Sequence, residues 1–169
     1  GGQVACFRQL ARRLHGDVIL TSNVVSGSDI INQVAALGFI RRQTDEPWVS
    51  CNSSAATLLT WYRNNVLHLF AAPSLVALLV SRAKAGIQER HLAEQCHIIY
   101  PFVAQELTID EEIALEPVLQ ALSDIGLITR KDGYLRPASK AGEPYTQLAQ
   151  LSTLLLEMLQ RLYVVICIA

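Results

Sequence analysis

Four neighbouring polar residues, Arg63, Asn64, Asn65 and His68, interrupt an otherwise apolar helical segment that runs from Thr60 to Leu75. A guanidinium, two amides and an imidazole offer many donors, suited to an anion or to free backbone carbonyls. They include no carboxylate and no nucleophile, so they form no reaction centre by themselves. Polar groups in an apolar setting are costly unless partnered, and a role is therefore expected of these four. Helical spacing puts Asn64, Asn65 and His68 on one side, with Trp61 a turn below Asn65. The remaining side carries Val66, Leu67, Leu69, Phe70, Leu75 and Val76 and calls for a core or for lipid. Two uses compete. The cluster is either the hydrogen-bonded polar seam of a core helix, tied to loop carbonyls around residues 16–28, or a set of support residues beside a pocket.

Other chemistry reads weakly. His91, Glu94 and His97 stand three apart on one helix, and Glu94-x-x-His97 is half of a di-iron carboxylate pattern. No second Glu-x-x-His occurs, and ligands at that interval drift around a helix, so a polar stripe and no metal are expected. There is no G-x-S-x-G elbow and no glycine-rich phosphate loop; serines such as Ser22, Ser50 and Ser74 lack a base at readable spacing. No cofactor is expected.

At 169 residues, 51% of them apolar, the chain can bury a real core. Fourteen basic against fifteen acidic residues leave it almost neutral, which disfavours nucleic acid as a partner. Cys6, Cys51, Cys96 and Cys167 are scattered without a C-x-x-C pair, as in a reducing compartment. The Gly1-Gly2-Gln3 start and the apolar run from Leu162 to Ala169 read as the ends of a fragment. The longest apolar stretch, Val66 to Val80, is fifteen residues and contains His68 and Pro73. That falls short of the roughly twenty that span a bilayer, although contact with a membrane surface is open to it and to the tail.

The pattern predicts a mainly α fold: a helical domain with two small winged-helix-like helix–hairpin units. Gln3 to Leu14 forms a helix ended by Gly16, and Asp17 to Leu20 a short strand. Ser28 caps a helix over 29–37 that Gly38 closes, and a hairpin follows around Thr44 to Pro47. Val118 to Arg130 repeats Ile30 to Arg42, glycine on glycine, with Tyr134-Leu135 standing where Trp48-Val49 stood. Between the copies lie a long helix from Ser53 to about Arg82, kinked or split by Pro73, and a second over 89–106. Thr108 with Glu111 forms a capping box, Pro117 sits in a first turn, and one last helix runs from Tyr145 with Leu148, Leu151, Leu155, Leu159 and Leu162 in register. The expected divisions are 1–56, 57–107, 108–139 and 140–169.

Winged-helix units raise DNA binding as the alternative function, for a cytosolic interaction module. Yet the helix over 29–37 offers only Asn32 and Gln33, and 116–125 offers Glu116 and Asp124 without a base. The segment Trp61-Tyr62-Arg63-Asn64-Asn65-Val66-Leu67-His68-Leu69-Phe70, with Pro73-Ser74-Leu75, resembles a YRNN-x-x-H-x-x-x-x-x-S-L stretch. That stretch belongs to the C-terminal part of membrane-bound glycerol-3-phosphate 1-O-acyltransferases of the bacterial PlsB type. A second matching block, Ile99 to Leu107 (IYPFVAQEL), follows in the same order and spacing.

The resemblance implies an enzyme that moves a fatty acyl chain from acyl-CoA or acyl carrier protein to the sn-1 hydroxyl of glycerol 3-phosphate. It implies phospholipid synthesis at the cytoplasmic face of the bacterial inner membrane. The family's H-x-x-x-x-D motif, in which His acts as general base, is missing. Five residues after the histidines stand Leu20, Pro73, Cys96 and Phe102. The chain is therefore expected to hold no catalytic residue, to be inactive alone, and to pack on the catalytic domain and the membrane surface. Arg63, Asn64, Asn65 and His68 are then support or substrate-proximal residues, with Arg63 suited to a phosphate.

Overall fold

A computed structural model describes residues 2–16, 26–42 and 49–168. The expected strand at 17–20 and the hairpin turn at 44–47 lie outside them. The fold is mainly helical. Helix α1 (Gly2–His15) precedes α2 (Gly27–Ala36) and a two-stranded hairpin of β1 (Arg41–Arg42) and β2 (Val49–Ser50). Helix α3 (Ser53–Leu67) runs through a 3₁₀ turn, His68–Phe70, into α4 (Ala71–Arg82). Strand β3 (Ile87–Gln88), α5 (Glu89–Leu107), α6 (Leu115–Asp124), β4 (Ile128–Lys131) and β5 (Tyr134–Pro137) follow, and α7 (Gly142–Thr153) and α8 (Leu156–Ile168) complete the order.

Helix α4 is the centre of the domain. Leu75, Val76, Ala77 and Val80 are fully buried, and α4 packs against α5, α6, α7 and β5. Each large aliphatic side chain so buried contributes about 1.5–3 kcal/mol relative to exposure. Leu92, Leu122, Leu127, Ile128, Leu135, Leu148, Leu151 and Leu155 close the same core. The second hairpin gains a third strand, because β5 lies between β3 and β4 in an antiparallel sheet.

The two helix ends expected to match do so bond for bond. Gly38 (φ 78°) and Gly126 (φ 74°) both take the left-handed conformation. Gly38 N–H donates to Ala35 O at 2.9 Å and Phe39 N–H to Val34 O at 3.3 Å; Gly126 N–H donates to Ser123 O and Leu127 N–H to Leu122 O, both at 3.0 Å. These are the paired bonds of a Schellman cap, which needs an α-left residue that glycine supplies without Cβ strain. The hairpins share a register too, with Arg42 opposite Val49 and Arg130 opposite Leu135.

Three local expectations are corrected. The cap of α2 is Ser26, not Ser28: its Oγ accepts from Asp29 N–H at 3.2 Å, and Asp29 answers by accepting from Ser26 N–H. Thr108 opens no helix. It ends α5 in the left-handed region, and α6 starts only at Leu115 with no side-chain cap. The last helix is two, broken between Thr153 and Leu156. The long helix does divide, but at His68–Phe70; Pro73 lies in the first turn of α4, where a missing N–H costs least.

Candidate functional site

Pro73 has no N–H, so the carbonyl four residues back, on Leu69, loses its helical donor. His15, the last residue of α1, supplies the replacement: its Nε2 lies 2.9 Å from Leu69 O. A carbonyl only accepts, so Nε2 carries the hydrogen in this bond. Phe7 packs on Phe70 with ring centroids 5.9 Å apart, fixing α1 along the same bend. One proline thus explains both why the long helix breaks and why a histidine far away in sequence is held there.

Beside the bend lies a cleft of about 220 Å³, lined by His15, His68, Leu69, Pro73, Tyr100 and Glu112 among others. Both sequence blocks that carry the acyltransferase resemblance reach it, the first through His68 and Pro73 and the second through Tyr100. Tyr100 is buried. Its hydroxyl is pushed above its ordinary pKa by burial and by the charge of Asp110, which keeps it a protonated donor. Two imidazoles, a phenol and a carboxylate can bind and orient a small polar group. Among the described residues no nucleophile lines the cleft with them.

Of the four residues singled out in sequence, only Arg63 and Asn64 are bonded to each other among the described residues. Arg63 is half-buried and turns toward α8, where its Nη2 lies 3.1 Å from Glu157 Oε2 and 3.3 Å from Asn64 Oδ1; its Nε is buried without a partner among the described residues. Asn64, Asn65 and His68 are exposed. Leu58, Trp61, Tyr62 and Asn65, spaced i, i+3, i+4, i+7, share a face of α3, and all three apolar members are exposed. Tyr62 also meets Phe39 and Trp61 edge-on. Most of the loop expected to bond the cluster, residues 17–25, lies outside the described residues.

Sequence reasoning passed over His15, Tyr100 and Glu112. The one available signal was the Leu69 carbonyl freed by Pro73, which demands a donor without saying which. It also gave Ser74 no role. Ser74 is fully buried on α4, and its hydroxyl has no partner among the described residues. Along α5, Arg90 Nε binds Glu94 Oε1 at 2.9 Å and His91 Nε2 lies 3.0 Å from the Gln95 amide, so the expected polar stripe is bonded within itself.

Counted through its 3₁₀ turn, the helix over 53–82 is long and apolar enough, by length and composition, to cross a membrane, with 44% of its most apolar window buried within the domain. An uninterrupted apolar count of fifteen understates it, since Arg63 is the only charge between Ser53 and Arg82.

Residues 2–169 match the family model described as the glycerol-3-phosphate acyltransferase C-terminal region. The chain belongs to that family. It is similar to the glycerol-3-phosphate acyltransferase of Pseudomonas syringae pv. tomato, 30% identical over 85% of this chain and 18% of the relative. The Aeromonas hydrophila enzyme of that name is 37% identical over 70% of this chain and 15% of its own length. The Alteromonas mediterranea one is 36% identical over 71% and 15%. The chain thus spans under a fifth of the curated relatives it matches. No solved structure matches it.

Proposed function

We propose that this chain is the non-catalytic C-terminal region of a glycerol-3-phosphate acyltransferase. The whole enzyme would transfer a fatty acyl chain from acyl-CoA or acyl carrier protein to the sn-1 hydroxyl of glycerol 3-phosphate, the opening step of phospholipid synthesis. The observation that carries the reading is the exposed face of α3, where Leu58, Trp61 and Tyr62 stand beside Asn64, Asn65 and His68. Its occupant is the remainder of the same polypeptide, given that the relatives extend several-fold beyond the matched region. Aromatic anchors beside exposed amides are what an intramolecular interface uses. The two winged-helix-like helix–hairpin units, within 1–56 and 108–139, serve as scaffold. The exposed end of α8, with Tyr163, Val164, Val165 and Ile168, rests at the cytoplasmic face of the inner membrane.

Within this reading Arg63 is a tether between α3 and α8, and Asn64, Asn65 and His68 meet the catalytic domain. In the full-length enzyme, Trp61→Glu is expected to abolish acyl transfer while this region still melts as a folded unit. Unchanged turnover would end the docking proposal. Arg63→Ala should leave KM for glycerol 3-phosphate unchanged. A raised KM at unchanged stability would instead put Arg63 on the substrate phosphate.

A further inference from the structure

On the side of the domain away from the bend, α4, β3, α5 and β5 enclose an open pocket of about 540 Å³. Its polar lining is Arg82, Gln88, His91, Gln95 and Tyr134, with no carboxylate among the lining residues. Arg82 has no carboxylate partner among the described residues. The nearest acids on α5 are already engaged, Glu94 by Arg90 at 2.9 Å and Glu89 by Arg130 at 2.6 Å. The Tyr134 hydroxyl accepts from Gln88 Nε2 at 2.9 Å, which leaves its own hydrogen free to donate. Arg136 lies over the Tyr134 ring, 5.2 Å from the centroid, and donates to Ala85 O. Gly86, at φ 93°, gives that guanidinium its room, since a Cβ there would stand 2.7 Å from Arg136 Cγ. An arginine without a carboxylate partner and a free phenolic donor, both lining one hollow, select an anion.

The pocket is too large for a bare phosphate, lying within the roughly 300–1,000 Å³ typical of small-molecule sites. Its α5 wall continues outward as one helical stripe. His91, Gln95, Ile98 and Phe102 fall at i, i+4, i+7 and i+11, so polar residues give way to two exposed apolar ones, Ile98 at 66% and Phe102 at 49% exposure. At 1.5 Å per residue, Phe102 lies about 16 Å beyond His91 along the axis. A polar, cation-lined hollow running into an apolar track matches a phosphate head attached to an acyl chain. We propose that this pocket binds an anionic phospholipid, its phosphate at Arg82 and Tyr134 and its acyl chain along Ile98 and Phe102. The site is separate from the α3 face and does not depend on the acyltransferase reading.

The test uses the full-length protein with phosphatidylcholine vesicles containing a trace of phosphatidate that bears a photoreactive acyl chain. Labelled peptides are then mapped by mass spectrometry. Adducts are expected within residues 82–102, reduced roughly tenfold by Arg82→Gln, which removes a charge-assisted bond. Tyr134→Phe, which deletes only a hydroxyl, should reduce them less at an unchanged melting temperature. Unlabelled phosphatidate should protect where equal concentrations of inorganic phosphate do not. Labelling confined elsewhere, or untouched by Arg82→Gln and Tyr134→Phe in folded protein, overturns the site. Equal protection by inorganic phosphate overturns its assignment to a lipid.

Discussion

The segment 27–50 and the segment 115–137 have the same plan and opposite surroundings. Both run helix, Schellman cap on a left-handed glycine, and a pair of antiparallel strands. In the second, α6 buries Val118, Leu119, Ala121 and Leu122, and its hairpin buries Ile128 and Leu135. In the first, the only buried residue of α2 is Gly27, both strands are exposed, and Leu37 and Val49 stand 69% and 48% open. The difference lies in the neighbours. Copy two sits against α4 and receives β3 as a third strand; copy one has a two-stranded sheet. Local sequence builds the same element twice, and packing makes one of them core.

Matched substitutions break that comparison most sharply. Val34 and Leu122 occupy the same place, each accepting the cap bond from the residue after the glycine. Leu122 is fully buried, whereas Val34 is partly open. Leu122→Ala should cost about 2–5 kcal/mol in denaturant unfolding, because a transfer loss and a cavity add. Val34→Ala should cost under about 1 kcal/mol. Similar losses would mean that copy one carries a core of its own.

Thiol chemistry sharpens the same contrast. Cys51 follows the first hairpin and is exposed, while Cys96 is buried on α5. Burial pushes the Cys96 thiol up to about 12 from its ordinary 9.0. At pH 8 an alkylating reagent should modify Cys51 within minutes and reach Cys96 only on unfolding. The folded state holds this proton more tightly than the unfolded chain, so its contribution is intact below pH 9 and declines as pH rises toward 12. Rapid modification of Cys96 in the native protein would contradict its burial. The two glycines should by contrast behave alike. Gly38→Ala and Gly126→Ala each place a Cβ in the left-handed region at about 1–2 kcal/mol, whatever lies around the cap.

What was legible in sequence follows this division between local and tertiary causes. The Gly38 and Gly126 caps could be read because an apolar helix ending on glycine leaves few other conformations. The capping box of α2 stands at Ser26–Asp29 where a cap at Ser28 was expected, and Thr108–Glu111 forms none because Thr108 serves as the end of α5. The break before Leu156 was hidden, since Leu148 and Leu151 before it, Leu155 within it and Met158 after it are all buried and the apolar spacing continues unbroken. The bend cleft gathers residues 15, 68, 100 and 112. Only His68 had a local reason to be noticed; the rest meet through packing around α4.

The smallest test sets Arg42 against Arg130, which occupy equivalent strand positions. Among the described residues Arg42 makes one side-chain bond, Nη1 to Asn32 Oδ1 at 2.9 Å. Arg130 grips Glu89 with two parallel bonds, at 2.7 and 2.6 Å, and Glu116 with a third at 2.6 Å. Glu89 and Glu116 lie in the first turns of α5 and α6, where helix dipoles already favour negative charge. The group is largely solvent-facing, so screening keeps its worth small despite the fork geometry. At low salt Arg130→Ala should lower the melting temperature more than Arg42→Ala does. Raising ionic strength toward 1 M, where the Debye length shrinks to about 3 Å, should remove much of the difference. A gap that survives high salt would assign Arg130 to packing, through its stem against β5, and would make the second copy's advantage apolar even at its charged edge.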